Sequence, residues 1–97
     1  MITLHMHRHG KEFCLAAADK DLLGNTYREE GIKLEVCREF YEGEDASEEM
    51  LLNRLSMCTV ANLVGEETIN VALRHGYVHE DCILRIAGVP HAQLAKM

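Results

Sequence analysis

Period-two alternation on both sides of one glycine constrains this chain more than any other feature. In MITLHMHRHGKEFCLAAA, Ile2, Leu4 and Met6 alternate with Thr3, His5 and His7. After Gly10, Phe13, Leu15 and Ala17 alternate with Glu12, Cys14 and Ala16. Successive strand side chains point to opposite faces, so this stretch reads as a β-hairpin with one apolar face. A two-residue turn at His9-Gly10 or at Gly10-Lys11 puts both apolar sets on the same face in either register.

The rest of the chain supplies elements that can cover that face. DKDLLGNTYREEG reads as an irregular connection, and IKLEVCREF as a third strand with Ile32, Leu34 and Val36 on one side. In YEGEDASEE, Asp45 followed three residues later by Glu48 matches a capping box. It predicts a helix from about Ala46 to about Cys58 that buries Leu51, Leu52, Leu55 and Cys58. TVANLVG is short enough for a strand or for a buried connection. A second helix is predicted from about Glu66 to His75, with Ile69, Ala72 and Leu73 as its apolar stripe and Gly76 as a left-handed cap. CILRIAG, nearly all apolar, reads as an interior strand covered on both sides. The order predicts an α+β fold: a two-layer sandwich with a mainly antiparallel sheet, an N-terminal β-hairpin and two helices on one face.

The chain has 97 residues, enough for one compact domain over 1–97 and too few for two. Ten basic against sixteen acidic residues leave a net charge of −6, which disfavours direct nucleic-acid binding. The four cysteines, at 14, 37, 58 and 82, show no C-x-x-C spacing. Free thiols, no secretory leader and no membrane-length apolar run predict a cytoplasmic protein without membrane partners.

Few stretches carry chemistry. His5, His7 and His9 share a strand face with Cys14 opposite, a set that can hold zinc or copper only if the rotamers converge. No spaced ligand motif supports it, so neither a metal nor another cofactor is expected. NLVGEE places a glycine before a helix, but two glutamates then compete with any phosphate. In GVPHAQ, Pro90 is expected to stiffen a turn at the end of CILRIAG, with Gly88 free to bend and His91 and Gln93 on one side.

TVANLVGEETINVALRHGYV, CILRIAGVPHAQ and the upstream DLLGNTYREEGIKLEV together resemble an uncharacterised, mostly archaeal family, domain of unknown function 424. The resemblance spans nearly the whole chain and rests on Gly24, Asn62, Gly65, Gly76, Gly88, Pro90, His91 and Gln93. It implies a small intracellular α+β domain and assigns no activity. So polar a signature points to a ligand- or partner-binding site formed by Asn62, Gly65, Gly88, Pro90, His91 and Gln93. The expected function is a small binding module for a macromolecular partner or small ligand, serving translation or RNA-associated machinery, with a homodimer left open. The alternative is a small enzyme with His91 as general acid or base in a pocket, formed between subunits if one chain cannot enclose it. Binding is preferred over catalysis because no second reactive group is evident.

Overall fold

The computed structural model describes residues 1–96. β1 (Ile2–His9) and β2 (Glu12–Asp19) form the expected hairpin, closing on Gly10-Lys11 so that His9 faces Glu12 and His7 faces Cys14. A 3-10 turn at Lys20–Leu22 leads to β3 (Thr26–Glu29), β4 (Ile32–Glu35), α1 (Arg38–Tyr41) and β5 (Glu44–Ala46). Then follow α2 (Glu48–Met57), β6 (Val60–Val64), α3 (Glu66–Arg74), a 3-10 turn at Glu80–Cys82, β7 (Leu84–Ile86) and β8 (Val89–Ala95). The fold is α+β, with a mainly antiparallel sheet in the order β5-β1-β2-β6-β8-β7 and a separate β3–β4 hairpin. β2 and β6 are the parallel pair.

Strand parity sorts the core into two. On one face Ile2, Leu4, Leu15, Ala17 and Leu63 pack under Leu51 and Leu55 of α2 and Ile69 and Ala72 of α3. On the other, here the outer face, the fully buried Ala16 and Ala18 join Val64 and Ile86 beneath Leu34, Val36 and Tyr41. Alanine at these two positions leaves room for β4 and α1 to lie close to the sheet.

Several expectations are corrected. The strand in IKLEVCREF does not enter the main sheet; it pairs with Thr26–Glu29, inside the stretch expected to be irregular. Its Leu34 and the following Val36 cover the outer face instead, while Ile32 is exposed. α2 starts later than expected because Ser47, not Asp45, caps it: Ser47 Oγ accepts from the Met50 N–H at 3.2 Å. Asp45 is held extended opposite Thr3 in β5, and its carboxylate accepts from Lys20 Nζ at 2.8 Å. TVANLVG is a strand, and a central one. α3 ends as expected on a left-handed Gly76 (φ +77°), with Tyr77 N–H bonded to the Ala72 carbonyl and Gly76 N–H to that of Leu73.

The largest correction concerns the C-terminus. CILRIAG is no interior strand; β7 is three residues at the sheet's margin, with Leu84 59% exposed. The interior strand is β8, and Pro90 lies within it rather than in a turn. The turn is made by Ala87 and Gly88. Pro90 is tolerated for a reason the register makes plain. It falls opposite Gly65, just beyond the Val64–His91 pair, and its carbonyl accepts from the Gly65 N–H at 2.9 Å. The return bond, from residue 90 to the Gly65 carbonyl, is not needed. That carbonyl accepts from Ile69 N–H at 2.9 Å as α3 begins. Proline therefore stands where the β6–β8 ladder gives way to a helix.

Candidate functional site

The uncovered part of the outer face carries the polar side chains. Cross-strand partners share a face, so His5, Ala16, Asn62 and Gln93 form one row across β1, β2, β6 and β8. Gln93 Nε2 donates to Asn62 Oδ1 at 2.7 Å, and Asn62 Nδ2 approaches Cys14 Sγ at 3.8 Å. His91 lies on the same face, between Val64 and Leu84 on the neighbouring strands. It is half-buried, and burial holds its imidazole below the usual histidine pKa, so the ring is neutral near pH 7. The structure thus brings Asn62, His91 and Gln93 to one face, the last an exposed side chain at its open end.

Gly65, Gly88 and Pro90 go elsewhere. They line a cleft of about 270 Å³ together with Asp19, Asp21, Leu22, Glu66 and Val89. Gly65 has an architectural reason to be glycine. Its φ is +105°, and a Cβ there would run into the Asp19 carboxylate. Asp19 caps α3 from the end of β2: it accepts from Glu67 N–H at 3.1 Å, Thr68 N–H at 2.9 Å and Thr68 Oγ1 at 2.8 Å. Glu66 pairs with Arg85 at 2.7 Å. A larger depression, about 440 Å³, lies between α2 and α3 beside the Glu48–Arg74 ion pair. Neither cleft contains Asn62, His91 or Gln93, so the six predicted site residues divide between two places.

The histidine strip behaves as a stacked wall. The His5 and His7 rings lie 4.1 Å apart, Phe40 stacks on His7 at 4.7 Å, and His7 Nε2 donates to the Phe40 carbonyl at 2.7 Å. His9 is exposed at the turn. Among the described residues no three His, Cys, Asp or Glu side chains converge where a metal ion can sit. Behind the wall Tyr41 is buried, and that burial above all pushes its phenol up to about 12.

Sequence reasoning missed Asp19, Phe40 and Tyr41. A glycine N-cap with no side chain implies that the α3 cap comes from elsewhere, but nothing local says from where. The aromatic pair sits in a helix of four residues, too short to leave a periodic signal.

An α+β sheet domain that presents amide and imidazole groups on one sheet face is the class this geometry defines. The chain belongs to the family described as protein of unknown function (DUF424), whose pattern matches residues 7–97. A crystal structure of an uncharacterized conserved protein from Methanopyrus kandleri is similar to it, with a TM-score of 0.81 and 26% sequence identity. The match covers 99% of this chain and 93% of that one. Among proteins with curated functions, none matches the chain. No helix of the described residues is long and apolar enough to cross a membrane.

Proposed function

We propose that this is a small binding module that meets its partner through the outer face of the sheet, with Asn62, His91 and Gln93 as recognition groups. One observation carries the reading: the Asn62–Gln93 amide pair. Each amide spends part of its hydrogen-bonding capacity on the other, which fixes their orientation. The Gln93 carbonyl oxygen and the remaining amide N–H groups are left for a partner. A neutral His91 ring beside them adds one donor and one acceptor. Such groups recognise a polar, uncharged surface better than a phosphate backbone, in keeping with the net charge of −6. The partner we favour is a protein of the translation or RNA-associated machinery, in the cytoplasm, where four unpaired thiols persist.

A reaction with His91 as acid or base is the weaker reading. The lowered pKa suits a base, but its cross-strand neighbours are Val64 and Leu84, which offer no second reactive group.

The test compares wild type with an Asn62→Ala, Gln93→Ala double variant in cross-linking capture from an archaeal extract. The partner's cross-links should map to the outer face and vanish in the variant, while its melting temperature stays near wild type. His91→Ala should cost no more than about 1 kcal/mol of stability. Identical captured partners in wild type and double variant would overturn the proposal.

A further inference from the structure

We infer that the free margin of β1, residues 5–9, accepts an extended acidic segment of another protein as an added strand. β1 has eight residues, and β5 pairs with Ile2, Thr3 and Leu4 alone. Which backbone groups point outward is fixed by bonds on the far side. The Met1 carbonyl accepts from Lys20 N–H at 2.7 Å, so odd-numbered residues turn their backbone toward β2. Phe13, opposite Arg8, spends its N–H and carbonyl on Thr59 and not on β1. Even-numbered residues therefore face away from β2. Ile2 and Leu4 meet β5; Met6 and Arg8 meet no strand among the described residues, leaving two N–H and two C=O groups unpaired.

The cover stops at Gly43. Its N–H donates to Thr3 Oγ1 at 3.1 Å, and the Tyr41 carbonyl accepts from the same hydroxyl, so the chain swings beneath the outer face. The margin beyond is left bare.

Charge selects the occupant. The first eleven residues hold Arg8 and Lys11 and no acidic residue, in a chain of net charge −6. Arg8, His9 and Lys11 are exposed, with Arg8 lying over the Phe13 ring at 5.2 Å. A second copy pairing antiparallel about Arg8 would set the two guanidinium groups against each other, which like charges oppose, and pairing about His7 would set each Arg8 against an apolar Met6 that gives it no charge partner. A guest strand with alternating acidic side chains meets the opposite sign and fills the open ladder by strand addition. The other margin offers no equivalent. β7 is three residues long, and the N–H of Ala87, in the turn just past it, is already taken by the Glu29 carboxylate at 2.8 Å.

This surface is separate from the amide face, so the two proposals can fail independently. The probe is a short peptide of alternating Glu and Val, titrated into isotope-labelled protein, with a Lys–Val peptide as control. Saturable shifts and slowed exchange of the Met6 and Arg8 amides are expected with the Glu peptide alone. Arg8→Pro removes an outward N–H without touching the β2 ladder, and should weaken binding roughly tenfold or more. Gln93→Ala should leave it unchanged. If Arg8→Pro does not fold, Arg8→Glu should switch the preference to the Lys peptide. The inference is overturned by equal binding of both peptides, by shifts centred on Asn62 and Gln93, or by no saturation. Concentration-dependent protection of Met6 and Arg8 without peptide would assign the margin to a second copy and also overturn it.

Discussion

His91 illustrates how one side chain links burial to a measurable pH response. Burial disfavours its charged form, so its pKa in the fold lies below the ordinary 6.5 that it regains on unfolding. Between those values the unfolded chain binds more protons, and stability falls as pH drops through the window just under 6.5. Melting temperature should therefore decline on mild acidification, and more shallowly in His91→Gln than in wild type. Equal slopes would mean that the ring is solvated. Tyr41 gives the opposite sign. Its raised pKa stabilises the fold below pH 10 and loses that contribution as pH rises toward 12. A phenolate transition near pH 12 that Tyr41→Phe removes is the expected absorbance signature.

The junction of β2, β6 and α3 is the element on which most of the architecture depends. Asp19 supplies the cap that Gly65 lacks, and Gly65 supplies the space that Asp19 needs. Gly65→Ala should cost about 2–4 kcal/mol, from left-handed strain plus the collision with the carboxylate. Asp19→Ala should cost about 1–2 kcal/mol through the lost cap. The double variant should cost less than the sum, because removing the carboxylate relieves the collision; simple additivity in denaturant melts would refute the coupling. None of this was legible from residues alone, since the cap and its helix lie 49 positions apart at Asp19 and Thr68. What local pattern could show was right: the β1–β2 hairpin, α2, α3 and its glycine cap. Parity and i, i+4 spacing record which face is buried. They do not record the neighbouring element, so β3–β4 was not recognised as a separate hairpin. The apolar run before Gly88 was read as interior although the covered strand follows it. The same blindness divided the candidate site. Asn62 and Gln93 proved to be cross-strand partners, while Gly65, Gly88 and Pro90 serve the turn and the helix start.

Across the whole molecule the cysteines report which regions open. Cys37 and Cys82 are exposed, Cys14 is half-covered, and Cys58 is buried with its thiol pushed up in pKa by that burial. The two exposed thiols lie at a helix start, Cys37, and in a 3-10 turn, Cys82. Timed alkylation of native protein followed by mass spectrometry should label Cys37 and Cys82 first, Cys14 next and Cys58 last. Early labelling of Cys58 would show that α2 detaches readily. A slower clock is set by β6. The hairpins β1–β2 and β7–β8 each close over two residues, whereas β6 must find β2 across 46 positions and β8 across 31. Such distant pairings delay the reward for closing large loops, and refolding on a scale of roughly milliseconds to seconds is expected. Leu63→Ala, in β6, should slow refolding, while Leu34→Ala, in the covering hairpin, should chiefly hasten unfolding. The last strand to become unambiguous in the sequence is thereby the one whose insertion times the assembly of the rest.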